Sequence, residues 1–337
     1  MDREEDRLLK EKRTNSNHAK DDAKSLGCQI CSSAKGICLA LMAGIFNAFN
    51  NSISAFLTTT GMSSFQILFV MYTGGLVLVT PLILCLYGVK SIAVDTWSQR
   101  ILLVSVGVCY TLQDICQVFA LSMIPVGNVT AIYRGVMPIV ISILARIFLK
   151  EPFTKIHFVS TVLCLTGILL TSQPRVIFGD GNDITVGDKN SWLGYLLSVG
   201  CGFCLSITYI LGSALGDAVP VLIINLYENS IGAIISGLLT FTLNCFLWKL
   251  SSVTYGLIIG LIVTFVLNFS CRFRSLQLEP PTTVVLLVNV QIFVAYLADY
   301  AVFNYTVNIY DTIGAVLITL SSAFVAIATT YLNVKGS

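Results

Sequence analysis

The sequence predicts an all-α integral membrane protein with ten transmembrane helices in two inverted five-helix repeats. Three observations carry that prediction. Of the 337 residues, 55% are hydrophobic and only 11% are charged, with a mean hydropathy of +0.82; a soluble domain carries about 25% charged residues. The apolar residues gather into ten runs long enough to cross a bilayer, since about 20 residues at 1.5 Å rise span the ~30 Å hydrocarbon layer. Residues of the first five runs also recur in the last five at a nearly constant offset.

The chain opens on a polar tail, residues 1–33. Eight of the 20 basic and seven of the 18 acidic residues lie before residue 36, and so few apolar side chains predict disorder. No cleavable signal peptide fits, because the polar stretch is too long and too acidic. Glu4 to Leu9 reads EEDRLL and matches an acidic dileucine sorting pattern through Glu4, Leu8 and Leu9; the competing reading is a solvated charged tail. Cys28 and Cys31 stand just before the first span. Only His18 is near enough to complete a zinc set, so no metal is expected, and the pair reads as juxtamembrane palmitoylation candidates.

The ten runs cover about 36–58, 65–87, 101–123, 128–149, 156–173, 192–213, 219–243, 252–270, 282–303 and 311–332. Connectors are short, with tight turns at Pro125, Gly216-Asp217 and Pro280-Pro281. The long connector after the fifth run is acidic and Gly-containing. The expected organisation is therefore a cytosolic tail (1–33), a first repeat (34–173), an extracytosolic linker (174–191), a second repeat (192–332) and a short cytosolic C-terminus (333–337). Basic residues concentrate on the cytosolic side of spans. With a cytosolic N-terminus, Lys90, Arg100, Lys150, Lys155, Arg272, Arg274 and Lys335 fall on that side, against Arg175, Lys189 and Lys249 on the other. Seven against three places both termini in the cytosol, in the plasma membrane or an endomembrane of the ER, Golgi or endolysosomal system.

The duplication is read from two segments. Leu121–Thr130 (LSMIPVGNVT) is similar to Leu276–Val285 (LQLEPPTTVV), offset by 155 residues, and each opens a span. Ser160 and Gly167 of the fifth run match Gly314 and Ser321 of the tenth, offset by 154. A constant offset marks an internal repeat. Because each half holds an odd number of spans, the second copy inserts upside down, a secondary-transporter design with its site near the midplane.

Four charged residues lie deep in the spans: Asp114, Arg134, Glu228 and Asp299. Asp114 and Arg134 are 11 and 9 residues from Pro125, which puts them about 16 and 13 Å deep on consecutive helices. Two compatible readings follow. They form an intramembrane ion pair, or Arg134 presents its guanidinium fork to an anionic substrate. Glu228 is a candidate proton carrier, or else a neutral acid bonded to a neighbouring helix. Asp299 lies nearer the far end of its span, within reach of headgroup water. Asn47 and Asn51, four residues apart on one face, join Tyr110 and Asn289 as candidate substrate-binding residues; Asn289 is the repeat partner of Arg134. Asn50, Tyr72, Gln113, Gln117, Tyr227 and Gln291 are further polar groups, for which interhelical hydrogen bonding is the plainer role. Gly74-Gly75, Gly200 with Gly202, and Gly232 with Gly237 allow close helix approach. The sequons at Asn50, Asn128, Asn268 and Asn304 all lie in or against spans. Enzyme motifs are absent: there is no phosphate-binding Gly-rich loop and no HExxH. The two histidines, His18 and His157, lie outside the apolar cores. No catalytic residue, cofactor or nucleic-acid partner is expected.

The stretch from Ala120 to Glu151, ALSMIPVGNVTAIYRGVMPIVISILARIFLKE, with Pro138 in mid-helix and a fifth run ending in TGILL, resembles the EamA module of the drug/metabolite transporter superfamily. Its exit through QPRVIFG (Gln173–Gly179) is similar to solute carrier family 35, group G-like members. The resemblance covers about residues 36–332 and implies ten helices, a central cavity and alternating access. Three positions depart from it. Met71 stands where relatives often carry a second-span arginine, Phe293 stands where Pro138 would repeat, and Asn304 is near the place of the terminal glutamate.

The expected function is secondary active transport of a small polar metabolite, with Arg134 pointing to an anion. The alternative is a non-transporting membrane scaffold or regulator that keeps the fold. Expected partners are the small-molecule substrate and the lipid bilayer, and a homodimer is compatible with the chain. A protease tag inserted at residue 182 should resist cleavage from the cytosolic side in intact vesicles; cleavage there would overturn the assigned topology.

Overall fold

The computed structural model describes residues 33–88, 94, 96–123, 126–150, 155–172, 191–243, 251–294, 313–314, 316–318, 320–325 and 327–328. Glu4, Leu8, Leu9, Cys28, Cys31, Pro125, most of the 174–191 linker, Asp299 and Asn304 lie outside the described residues. Among the described residues every regular element is helical.

Helix α1 is Ser33–Thr59, α2 is Ser64–Leu86, α3 is Trp97–Met123 and α4 is Val126–Leu144. α4 runs on into a π-helical turn, Ala145–Leu149, that stops at Lys150 with φ 56. Helix α5 is Lys155–Ser172 and α6 is Ser191–Leu215. After a 3-10 turn, Gly216–Ala218, come α7 (Val221–Thr242) and α8 (Ser252–Leu278). Helix α9 is Pro281–Val288, turns at Asn289, and belongs to an apolar helical run Pro281–Val294. Helix α10 is the run Val316–Val325. Seven of these are long and apolar enough to cross a membrane; α5, α9 and α10 are shorter apolar helices among the described residues. The expected ten spans are thus seven candidate spans by length.

Turn chemistry fixes the stops. Pro280 caps α9 with Pro281 at its first position, where the missing N–H removes no helical bond. Gly216 adopts φ +51, a conformation that suits a residue without Cβ. The side chain of Gln277 donates to the carbonyls of Gly216 and Val219 at 2.6 and 2.9 Å, so the α6–α7 turn is tied to the end of α8. Arg274 pairs with Asp217 across the same turn at 2.5 Å.

One boundary departs from the sequence reading. The eighth span was expected to end near residue 270, with Arg272 in a connector. Instead α8 continues to Leu278, and Leu261, Phe265, Asn268, Phe269, Arg272 and Leu276 form one buried stripe. Arg272 is therefore interior, 3% exposed. Removing it from the basic count leaves six against three.

The halves interlock. Helix α6 packs along both α3 and α4, and α7 packs along α2 and α3. Helix α8 packs on α2, while α1 reaches α8 and α9 through its asparagines: Asn268 donates to Asn47 at 3.2 Å, and Asn47 donates to Gln291. Small residues permit this approach. A Cβ on Gly75 would fall 2.1 Å from Asn229 Oδ1, and one on Gly232 would fall 2.5 Å from the Tyr72 ring. Helices α5 and α10 meet reciprocally. Ser321 Oγ donates to the Ser160 carbonyl at 2.9 Å, and a Cβ on Gly167 would lie 2.7 Å from the Gly314 carbonyl. Positions 160 and 167 match 314 and 321 in the repeat, so each residue touches the counterpart of the other, as in an isologous contact.

Gly200 and Gly202, grouped together in the sequence, separate here. A Cβ at 202 would meet the Tyr133 carbonyl at 2.8 Å, whereas one at 200 meets nothing within 4 Å. Gly202→Val should therefore destabilise the detergent-solubilised protein by about 1–3 kcal/mol through overpacking. Gly200→Ala should be neutral or stabilising by about 0.5–1 kcal/mol, since alanine favours a helix. Thermal unfolding of the two variants checks this ordering.

Candidate functional site

Four helices bring polar groups to one place in the apolar interior. Helix α3 supplies Tyr110 and, one turn on, Gln113 and Asp114. Tyr72 comes from α2, Glu228 from α7, and Asn268 and Arg272 from one face of α8. Tyr209 of α6 closes on the same guanidinium.

Arg272 is the most heavily surrounded. Its Nη1 donates to Tyr110 Oη at 3.2 Å and its Nη2 to Asn268 Oδ1 at 2.9 Å. Its guanidinium carbon lies 5.8 Å from the ring centroids of both Tyr110 and Tyr209, within cation–π range. Asn268 in turn donates to Asn47, which donates to Gln291, so α8 fixes the arginine through a chain that runs by way of α1 to the run Pro281–Val294. Tyr110 packs edge-on against Phe269, which stacks on Phe273 at 4.3 Å. Two buried donors here have no hydrogen-bond partner among the described residues: Arg272 Nε and the Tyr209 hydroxyl.

The acids differ in their surroundings. Asp114 Oδ2 accepts from the Tyr72 hydroxyl at 2.6 Å, and Tyr72 is wedged edge-on against Phe265. Glu228 is 0% exposed, and neither carboxyl oxygen finds a hydrogen-bond partner among the described residues. Its charged and titratable neighbours are Asp114, Arg272, Tyr72 and Tyr110.

The expected Asp114–Arg134 ion pair does not form. Among the described residues the ion pair is Arg274–Asp217, an exposed contact at the α6–α7 turn. Equal depth on consecutive helices did not make the two residues face each other, because α6 packs along both α3 and α4. Asp114 turns towards α2. Arg134, 5% exposed, lies with its guanidinium carbon 4.7 Å from the Tyr133 ring centroid. Cys201 lies within electrostatic range of both Arg134 and Asp114 and accepts from Gln113 at 3.6 Å. Pro138, one turn along α4, leaves a helical carbonyl without its usual donor, and Ser142 donates to the Pro138 carbonyl at 2.7 Å.

The remaining expected site residues divide. Asn47 joins the network, as described. Asn51 is exposed, contrary to its expected place beside Asn47; the residue that turns inward is Asn50, which donates to the Leu261 carbonyl at 3.1 Å. They lie three and four residues beyond Asn47, just under and just over one turn, and the contact with α8 selects the one at i+3. Asn289, fully buried at the α9 turn, donates to Cys164 Sγ at 3.1 Å and leaves its Oδ1 unpartnered. Gln113 donates to Gln117 at 3.0 Å. Tyr227 is half-buried. The sequons at Asn50 and Asn268 are buried, hence closed to glycosylation in the folded protein.

Sequence reasoning missed Arg272, Asn268 and Tyr209. The signal was present for the first two: the apolar stripe Leu261, Phe265, Phe269, Phe273, Leu276 keeps helical spacing through Arg272, up to the Pro280-Pro281 stop.

Tyr72 and Asp114 should be energetically coupled. Tyr72→Phe leaves a half-buried acceptor short of its donor, at a cost of about 1 kcal/mol. In the double variant Tyr72→Phe, Asp114→Asn the losses should fall short of additive by at least about 0.5 kcal/mol, measured by thermal unfolding. Additive losses would show that the 2.6 Å contact contributes nothing.

Comparison with known proteins places this arrangement. A solved structure described only as "Crystal structure of protein" superposes with a TM-score of 0.71, covering 90% of this chain and 98% of its own, at 15% sequence identity; at that identity the likeness concerns the fold. The model of the EamA-like transporter family matches twice, over residues 34–173 and 192–327. With both halves of the helical bundle matched, the chain belongs to the EamA-like transporter family, membrane transporters of the drug/metabolite type.

Proposed function

We propose that the protein is a secondary active transporter that moves a small polar, anionic metabolite by alternating access. In this reading ten helices form two inverted five-helix repeats with both termini in the cytosol, as in solute carrier family 35, group G-like members. Support for the inversion comes from the reciprocal contacts of α5 with α10 and from the way α6 sits on α3 while α1 sits on α8. The observation that carries the function is the buried cluster between the halves. Arg272 lies among Asp114, Glu228 and Tyr110, with Arg134 buried on the neighbouring α4, in an interior where each ionised side chain costs about 2.5–3.5 kcal/mol to insert. A bundle needing only cohesion has cheaper means, because apolar packing of similar volume is as stable as a buried ion pair.

Roles follow from the contacts. Arg134, with Asn289 and Tyr110, lines the substrate path; Asn47 holds Asn268 in place. Asp114, bonded to Tyr72, tunes the charge of the cluster. Glu228, with two free oxygens, is the proton site: taking up a proton offsets the charge that an anion brings in. Inverted repeats provide the movement, since rocking one half against the other exposes the same midplane groups to either side.

Flux in proteoliposomes tests the reading. Uptake of a labelled small organic anion should follow an inward proton gradient. Glu228→Gln, which fixes the neutral form, should abolish the gradient dependence while leaving counterflow exchange measurable. No flux of any solute by the wild-type protein would favour a scaffold that retains the transporter fold. Flux unaffected by Glu228→Gln would remove the proton from the mechanism.

A further inference from the structure

Two buried arginines, Arg134 and Arg272, stand near the proposed substrate path. We infer that Arg272 and the Tyr209 hydroxyl form a carboxylate-binding site, and that this site, rather than Arg134, makes the primary substrate contact. The inference rests on the transporter reading above.

The donor count is the starting point. A guanidinium carries five N–H groups. Two of those on Arg272 are used, one on Tyr110 Oη and one on Asn268 Oδ1. Nε has no partner among the described residues, and the Tyr209 hydroxyl has none either. Both residues are buried, at 3% and 1% exposure, away from bulk water. Buried donors are almost always satisfied, and two of them beside one cation mark a place prepared for an acceptor. Nε–H is open, and Nη2 keeps a second N–H beyond the one given to Asn268; a guanidinium using both in a fork on a carboxylate makes a strong pair. Arg134, in contrast, has its guanidinium over the Tyr133 ring.

The rest of the cluster narrows the ligand. Tyr110 and Asn268 pin Arg272 from two sides, so it offers a fixed, unpartnered Nε rather than a mobile charge. Asp114 lies within electrostatic reach of the same guanidinium, and a carboxylate there disfavours a dianion. A planar monoanionic group fits both constraints better than a tetrahedral phosphate. The aromatic walls of Tyr110, Tyr209 and Phe269 suit an apolar body attached to that carboxylate. In this conformation the site is closed, and entry requires the helices of the two halves to part.

The test uses the full chain in nanodiscs with three labelled probes: lactate, succinate and inorganic phosphate. Wild type should bind lactate most tightly, then succinate, with phosphate weakest. Arg272→Lys keeps the charge and loses the fork, so lactate affinity should fall by about tenfold or more. Tyr209→Phe deletes a hydroxyl that bonds nothing among the described residues. Its thermal midpoint should be unchanged or raised, yet lactate affinity should fall several-fold; a purely structural tyrosine would leave binding untouched. Arg134→Lys should change affinity less than Arg272→Lys. Unaltered lactate binding in Tyr209→Phe and Arg272→Lys, phosphate bound more tightly than lactate, or no carboxylate bound by wild type would each overturn the assignment. If those results came with wild-type flux of another solute, the transporter reading would stand while this site assignment fell.

Discussion

An arginine shut away from water depends on the groups that surround it, and much of this bundle is arranged around Arg272. Its charge lies on α8, its hydrogen-bond acceptors on α3 and α8, its aromatic cover on α3 and α6, and its acidic neighbours on α3 and α7. Breaking a buried charge arrangement by removing one member costs about 3–5 kcal/mol. That is a large share of the net stability of a domain. The helices of the two halves are thus held in register by the requirement to solvate one side chain from four directions.

Close approach makes this solvation feasible. A hydroxyl or amide reaches the cluster only if backbones come near, and glycines set that distance. Gly75 makes room for Asn229, and Gly232 makes room for Tyr72, whose hydroxyl then meets Asp114 at 2.6 Å. In lipid the tails are as apolar as leucine, so burial of apolar surface gives little drive for helix association; packing and interhelical hydrogen bonds supply it. The same glycines that let the halves fit also place the polar groups of the site.

The cluster is unevenly satisfied, and the unevenness has functional content. Asp114, Tyr110, Asn268 and Asn47 are bonded to one another or to neighbours. Glu228, Asn289 Oδ1, Tyr209 and Arg272 Nε are not, among the described residues. A bundle selected for rigidity alone would close such gaps with apolar side chains, because a half-satisfied polar network is less stable than none. In the proposed alternating-access cycle these open groups are the ones that substrate and proton would occupy.

Much of the architecture was legible in the sequence, because membrane insertion is governed by local quantities. Hydropathy over about 20 residues decides where a helix lies, and turn residues such as Gly216 and Pro280 decide where it stops; neither needs knowledge of partners. The repeat was legible too, through Ser160, Gly167, Gly314 and Ser321, since a two-fold contact imposes the same small residues on both copies. The pairing of charges was not legible. Asp114 and Arg134 share a depth but not a direction: depth follows from residue count, whereas direction follows from which helix packs alongside. Asn50 and Asn51 show the same limit within one turn. Arg272 was taken for a loop residue because a lone charge ordinarily ends a span. Only the tertiary structure supplied Tyr110, Tyr209 and Asn268 around it, and with them the reason a cation can remain inside.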